Sequence, residues 1–230
     1  FYFLFNSDGR FMIKAVFLDF YGTIVYEDGE VIDRIAQEIF DTGSAESKAS
    51  ISEFWWNAFQ SLTRRYYGKD FKTQREIEYI SLAQTILHFH SSASADMLCE
   101  LLFAYWVKPP IFEESKTFFE KCPVPIYIVS NIDRNDILNA IKFHGLKPDG
   151  VYTSEDAKSY KPRPELFTYA LEASHLEARD ILHIGDSLSS DICGAAAAGI
   201  RALLINRGQR TVPSTVTCIQ NLMEILPLIK

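Results

Sequence analysis

KAVFLDFYGT, residues 14–23, joins a short apolar run to an aspartate and a glycine. Residues 14–19 suit a buried strand of a parallel sheet, since such strands are covered on both faces and read as continuous apolar runs. Gly22 indicates a turn soon after that strand. Ligands of open parallel sheets bind outside the carboxyl ends of the strands. Asp19, which lies at such an end, is therefore the first candidate for chemistry.

The segment that follows has a different character. Residues 30–107 are rich in helix formers, contain no convincing strand and have little turn punctuation. Pro109 and Pro110 end the segment, because proline cannot continue a helix and restricts the residue before it. The pattern predicts four helices, near 30–41, 46–66, 73–90 and 94–107.

From residue 111 onward, helical and apolar segments alternate. The apolar segments predict strands at 125–131, 150–154, 181–186 and 201–206, with a weaker one at 215–219. The other segments predict helices at 111–121, 133–143, 164–174, 188–198 and 220–228. Strands that alternate with helices form parallel sheets with right-handed crossovers. The sequence thus predicts an α/β fold: a Rossmann-like parallel-sheet core with an inserted four-helix cap domain.

The predicted helices and strands divide the chain into three parts. Residues 12–26 and 109–230 are expected to form the α/β catalytic core, and residues 27–108 the helical cap. Residues 1–11 are interpreted as a leader, because their apolar run is too short for a signal peptide and Met12 directly precedes the strand. An extra edge segment of the sheet is the alternative.

Composition restricts the classes of function. The chain has 230 residues and a net charge of -7, which argues against nonspecific binding to nucleic acid or to an anionic membrane. No apolar run approaches the roughly 18 residues that span a bilayer. The four cysteines are scattered, without metal-type spacing, so we expect reduced thiols and a cytoplasmic location. A monomer or homodimer is expected.

Polar residues also stand at or near the ends of the other predicted strands. They are Ser130, Asn131, Lys161, Asp186 and Asp191. Clustered carboxylates repel one another unless a cation neutralises them, and oxygen ligands of this kind suit Mg²⁺. An ammonium and a hydroxyl supply the charge and the donors that a phosphoryl group needs. A carboxylate can itself serve as a covalent nucleophile. The set predicts a phosphoryl-transfer site.

Four segments carry a resemblance to a known family. DFYGT (19–23), SN (130–131), YKPRP (160–164) and GDSLSSD (185–191) resemble, in order and strand context, the four motifs of the haloacid dehalogenase superfamily. The helical insert is similar to the cap of that superfamily. The resemblance implies a magnesium-dependent phosphatase that acts on a small phosphorylated metabolite through an aspartyl-phosphate.

The resemblance also implies a role for each residue. Asp19 would be the nucleophile, and Lys161 would bridge it to the phosphate. The phosphoryl oxygens would be held by Thr23 and Ser130, with Gly22 and the Asn131 backbone N–H assisting. The magnesium ligands would be Asp19, the Tyr21 carbonyl and Asp186, with Asp191 binding directly or through water.

Tyr21 departs from the phosphatase pattern. Phosphatases of the superfamily usually carry a second Asp there, which protonates the leaving group and activates water. A Tyr resembles the metal-free dehalogenase branch, which attacks carbon, but that branch lacks the acidic Gly185-Asp186 pair found here. Two alternatives therefore stay open, a carbon–halogen hydrolase similar to the 2-haloacid dehalogenases and a low-activity phosphate-binding relic.

The histidines have simpler interpretations. His183 lies inside an apolar strand and is interpreted as a core residue. His88 and His90 are two positions apart on a predicted helix and do not share a face, so they are interpreted as surface or cap packing.

Overall fold

A computed structural model describes residues 13–27 and 29–229, so residues 1–11, with the expected leader, lie outside the described part. Six strands form one parallel sheet in the order β3-β2-β1-β4-β5-β6. The strands are β1 (Ala15–Leu18), β2 (Ile126–Ser130), β3 (Gly150–Thr153), β4 (Ile181–Gly185), β5 (Arg201–Ile205) and β6 (Cys218–Ile219). The predicted α/β class and all six predicted strands are confirmed, the last as a two-residue strand.

The strand order places the candidate site. Successive strands run outward on one side of the sheet through β2 and β3, and on the other side through β4, β5 and β6. The order therefore reverses between β1 and β4, where crevices for ligands form. Leu18 pairs with both Ile128 and Ile184, so the carboxyl ends of the three central strands are level. Every residue of β1 is buried, as its apolar sequence predicts.

Four α-helices lie within residues 29–107, as predicted. They are α1 (Gly29–Thr42), α2 (Lys48–Arg65), α3 (Gln74–His88) and α4 (Ala95–Val107). Side-chain caps begin three of them, at Ser47, Thr73 and Ser94. Trp55 of α2 is buried and donates to the Ser81 hydroxyl of α3 at 3.2 Å. Buried residues of these helices belong to the same apolar cluster as one face of the sheet.

The remaining helices connect the later strands. They are α5 (Glu113–Lys121), α6 (Arg134–His144), α7 (Ser154–Ala157), α8 (Glu165–Ser174) and α9 (Gly194–Ala197). The predicted helix 188–198 is a π-helical turn, Leu188–Cys193, followed by α9. π-Helical turns often accompany functional sites, and this one carries Asp191. The predicted terminal helix is a 3₁₀ helix, Leu222–Leu228, which contains Pro227. None of the helices in the described residues is long and apolar enough to cross a membrane.

The start of α3 is joined to the core loop after β2. The Asp133 carboxylate accepts hydrogen bonds from the backbone N–H groups of Gln74 and Arg75, at 2.7 and 3.0 Å. The Arg75 side chain forms a two-pronged ion pair with buried Asp136, at 2.8 and 2.6 Å. Bidentate pairs of this kind are among the stronger polar contacts. The inserted helices are thus tied to the loop that follows Ser130.

The Lys161 loop is joined to the same part of the insert. Tyr160 is buried and donates its hydroxyl proton to the Lys72 carbonyl at 2.8 Å. Its ring stacks on Phe71 at a centroid distance of 5.2 Å. Contacts just before α3 therefore hold the residue that precedes Lys161.

Candidate active site

Asp19, Lys161 and Asp191 form one buried ionic cluster. The Lys161 ammonium donates to Asp19 Oδ1 at 2.7 Å, to Asp191 Oδ1 at 2.6 Å and to the Val129 carbonyl at 2.9 Å. Asp19 and Lys161 are only 7% and 4% exposed, so this cluster is closed to solvent. The three side chains come from β1, the loop after β3 and the turn after β4, and the level strand ends bring them together.

Burial and mutual attraction set the charges of this cluster. Burial would raise the pKa of Asp191, but the Lys161 ammonium and a hydrogen bond from His183 outweigh it and hold that pKa well below its usual range. Burial alone would lower the pKa of Lys161, whereas the two carboxylates raise it. The pKa of Asp19 is raised by burial and by Asp191, against the opposing effect of Lys161. Asp191 and Lys161 are therefore a fixed ion pair beside Asp19.

Asp186 is the third carboxylate at this edge. One oxygen from each of Asp19, Asp186 and Asp191 lies within 4.8 Å of the other two. Burial, and then the charges of Asp19, Glu27 and Asp191, raise the pKa of Asp186 to about 8. Such a rise is the expected response of acidic groups crowded together with too little positive charge. The described residues thus supply more negative charge here than Lys161 balances.

Two glycines permit this crowding. A Cβ on Gly22 would lie 2.6 Å from Asp186 Cγ, and a φ of +81° already favours glycine there. A Cβ on Gly185 would lie 2.1 Å from Asp191 Cγ. Both positions need the absence of a side chain, so that two carboxylates can approach the strand ends.

Hydroxyl groups line the same site. The Thr23 side-chain oxygen is buried and has no hydrogen-bond partner within residues 13–27 and 29–229. Buried hydroxyls are normally satisfied, so an orphan one calls for an explanation such as a ligand. Ser130 is 2% exposed, and its hydroxyl lowers the pKa of Asp19 by hydrogen bonding. The predicted site residue Ser130 therefore contacts the predicted nucleophile, and Thr23 has an unsatisfied buried hydroxyl in the turn that follows Asp19.

Asn131 has a different contact from Ser130. Its side-chain amide accepts from the Lys161 N–H at 2.7 Å and donates to the Lys161 carbonyl at 3.0 Å. This reciprocal pair fixes the backbone of Lys161. The Asn131 side chain thus orients the lysine, which leaves the predicted backbone role of Asn131 intact.

Tyr21 points its phenol toward the inserted helices. The hydroxyl donates to the Trp106 carbonyl in the last turn of α4 at 2.6 Å. The side chain that replaces the usual second Asp therefore links the β1 turn to the insert. No local pattern predicts this contact, because its partners are 85 positions apart.

Three further residues build the site. His183, predicted as a core histidine, is fully buried, and its Nε2 lies 3.0 Å from Asp191 Oδ1. Arg207 donates to the Thr23 carbonyl at 2.7 Å and pairs with Glu114. Arg210 donates to the Asp186 carbonyl at 2.8 Å. Both arginines follow the carboxyl end of β5, which is the signal that could have identified them.

The comparisons with known proteins fit this geometry. A family model described as haloacid dehalogenase-like hydrolase matches residues 13–199. The chain belongs to this family. It is thus an enzyme of the hydrolase class, and the predicted resemblance is confirmed.

Two curated relatives illustrate the sequence similarity of this chain to other members of the family. The haloacid dehalogenase-like hydrolase domain-containing protein 3 of Danio rerio is 32% identical over 132 residues, which cover 53% of this chain and 54% of the relative. The phospholysine phosphohistidine inorganic pyrophosphate phosphatase of Rattus norvegicus is 43% identical over 49 residues, or 21% of this chain and 18% of the relative. The chain thus matches about half the length of the first relative.

Among solved structures, the L-2-haloacid dehalogenase from Xanthobacter autotrophicus superposes with a TM-score of 0.72. The match covers 94% of this chain and 98% of the dehalogenase, at 16% identity. At that identity the likeness shows the shared fold, and the chemistry has to be argued from the site.

Proposed function

We propose that this protein is a magnesium-dependent phosphatase that acts on a small phosphorylated metabolite through an aspartyl-phosphate on Asp19. One observation carries the proposal. Asp19, Asp186 and Asp191 bring carboxylate oxygens within 4.8 Å of one another, and Lys161 is the ammonium that faces two of them. A cluster of this charge is the kind of oxygen-ligand set that binds Mg²⁺.

The residues present fit a magnesium ion. Asp19 and Asp186 would hold it with the Tyr21 carbonyl. Asp191 already accepts from Lys161 and His183 at one oxygen and from the Ser187 N–H at the other, so binding through water suits it better. When bound, the ion would neutralise the carboxylates and the phosphoryl oxygens.

The chain's own groups then account for two transfer steps. A carboxylate oxygen of Asp19 attacks phosphorus, and the bond from phosphorus to the leaving oxygen breaks. Thr23, Ser130 and Lys161 donate hydrogen bonds to the phosphoryl oxygens while charge builds on them. Water then attacks phosphorus and gives up a proton to solvent, and the bond between phosphorus and the Asp19 oxygen breaks, so that inorganic phosphate leaves and the Asp19 carboxylate is restored.

Tyr21 makes the first step slow for poor leaving groups and the second step slow for every substrate. A phenol is a poor base at neutral pH, and the Tyr21 phenol already donates to the Trp106 carbonyl. General acid–base help is worth about 10²–10⁴-fold. We expect slow turnover of alkyl phosphates, relative preference for p-nitrophenyl or acyl phosphates, and a burst of leaving group. Tyr21→Asp should raise alkyl-phosphate turnover and remove the burst.

The second candidate is a metal-free carbon–halogen hydrolase, and Tyr21 is the observation that favours it. The third carboxylate weighs against it, because attack on carbon by Asp19 needs no metal and gives Asp186 no function. A phosphate-binding relic would keep the residues that bind phosphate but would show no turnover. These alternatives are separated by the products that they form.

The test is hydrolysis of p-nitrophenyl phosphate and of a 2-haloacid, each with Mg²⁺ and with a chelator. The proposal expects phosphate release that needs Mg²⁺ and is lost in Asp186→Asn. The exposed α4 residue Asp96 offers a matched control, since Asp96→Asn should keep full activity. Halide release in the presence of chelator would establish the dehalogenase instead, and absence of both products would leave the relic.

We also propose that residues 27–108 act as a lid. Asp19 and Lys161 are nearly inaccessible, so substrate needs an opening between the insert and the core. Lids of this kind exclude water and complete catalytic sites. The contacts of Arg75 with Asp136 and of Tyr160 with Lys72 would break on opening.

A further inference from the structure

The loop that follows β5 places Arg210 at the entrance of the active site. Asn206 follows β5 and is only 7% exposed. Its side chain donates to the Arg210 carbonyl at 2.8 Å and accepts from the Arg210 N–H at 2.9 Å. Gln209 between them adopts a positive φ of +50°. The loop backbone is therefore clamped in a conformation that directs Arg210 toward the strand ends.

The Arg210 guanidinium is anchored but keeps spare donors. One nitrogen donates to the Asp186 carbonyl at 2.8 Å and lies 3.9 Å from an Asp186 carboxylate oxygen. The side chain is 62% exposed. A guanidinium carries several N–H donors in a planar fork, and no other acceptor within the described residues engages this one. Its remaining donors face solvent beside the predicted metal ligand.

Arg210 is not needed to balance Asp19, Asp186 and Asp191 once a divalent cation is bound, because Lys161 and that ion would do so. Glu27 is a further carboxylate near this group, and its charge helps to raise the pKa of Asp186. Arg207, by contrast, is paired with Glu114, and its Cζ lies 3.7 Å from the centroid of the Phe112 ring. Arg210 therefore adds a largely exposed cation with spare donors at the entrance, and a planar guanidinium matches a carboxylate with two parallel hydrogen bonds.

We propose that Arg210 is a specificity-determining residue that binds a carboxylate of the substrate, so that the preferred substrates are phosphate monoesters bearing a carboxylate. This proposal rests on the proposed phosphatase function and names its substrate class. The carboxylate would lie on the part of the substrate that leaves, beyond the phosphoryl group held by Thr23, Ser130 and Lys161.

The test compares 3-phosphoglycerate with glycerol 3-phosphate, which differ by a carboxylate in place of a hydroxymethyl group. The protein should favour 3-phosphoglycerate in kcat/KM, mainly through KM. In Arg210→Gln this preference should fall about tenfold, or about 1.4 kcal/mol. Arg210→Lys should restore part of it. Arg179, 79% exposed and away from these strand ends, provides the control Arg179→Gln, which should keep the preference.

Two kinetic results would overturn the proposal. One is an unchanged preference in Arg210→Gln. The other is an altered Mg²⁺ requirement in that variant with unchanged discrimination, which would assign Arg210 to the metal site.

Calorimetric binding of both compounds to Asp19→Asn, with and without Arg210→Gln, tests the carboxylate contact without turnover. Selective binding of 3-phosphoglycerate that Arg210→Gln abolishes supports it even if the wild type hydrolyses no phosphate ester, in which case the phosphatase function alone fails. Equal binding of both compounds contradicts the Arg210 proposal.

Discussion

Replacing Lys161 by Met removes a buried charge while keeping the length of the side chain. Three acceptors lose their partner, namely Asp19, Asp191 and the Val129 carbonyl, which lie 2.7, 2.6 and 2.9 Å from the ammonium. Breaking a buried ion pair from one side costs about 3–5 kcal/mol, because the remaining charge stays uncompensated. The free energy of unfolding of Lys161→Met should fall by about that amount near neutral pH.

The loss should depend on pH in a fixed direction. Lys161 opposes the rise in the pKa of Asp19, so its removal raises that pKa further. A folded-state pKa above the unfolded one gives stability that is fully present at low pH and is lost as the pH rises through the folded value. The cost of Lys161→Met should therefore be smaller near pH 5 than near pH 7.5.

Urea unfolding at both pH values and phosphate-ester hydrolysis measure these effects. Lys147 is exposed, so Lys147→Met is the matched control, with an expected change within about 0.5 kcal/mol. Activity of Lys161→Met should fall about 10²–10³-fold, as when a transition-state donor is removed. If Lys161→Met unfolds like the control at both pH values and stays active, the ionic cluster does not work as described.

Three other perturbations test separate parts of the account. Because the pKa of Asp186 is about 8, metal-free protein should lose stability as the pH rises from about 4 to 8. Calorimetry in buffers of different ionisation enthalpy should show that Mg²⁺ binding releases a proton near pH 6 but not near pH 10, and equal proton release at both pH values would contradict this prediction. Gly22→Ala should weaken Mg²⁺ binding at least tenfold by displacing Asp186. Gly145 has a similar φ of +69° but open space where its Cβ would lie, so Gly145→Ala should only lower the free energy of unfolding by about 1–2 kcal/mol; equal Mg²⁺ affinities of the two variants would contradict the steric argument. Arg75→Met should break the pair with Asp136 and speed hydrogen exchange at the start of α3 severalfold, and unchanged exchange would mean that this contact does not hold the lid.

The strands and the polar residues at their ends could be predicted because both depend on local pattern. An apolar run before Asp19 or Asp186 identifies a buried strand, and parallel strands present their carboxyl ends at one edge. Contacts made by loops could not be predicted in this way. Two hydrogen bonds from the Asn206 side chain to the Arg210 backbone hold Arg210 near Asp186, and no periodic sequence pattern predicts them.

Two residues show why pattern alone misassigns a role. His183 lies inside an apolar strand, which predicts a core residue, and it is indeed buried, but its ring also contacts Asp191. Tyr21 reads as a missing catalytic acid, while its phenol is bonded to Trp106 of the insert. Each contact depends on tertiary packing between segments that are predicted separately.

Asp19 is proposed as the nucleophile that carries a phosphoryl group. Mixing the protein with p-nitrophenyl phosphate and Mg²⁺, quenching in acid within the burst and mapping peptides by mass spectrometry tests it directly. The peptide containing Asp19 should gain the mass of one phosphoryl group, and this gain should be absent in Asp19→Asn and absent without Mg²⁺. Turnover of the ester with no such adduct at any time in the burst, or with the adduct on another residue, would contradict it.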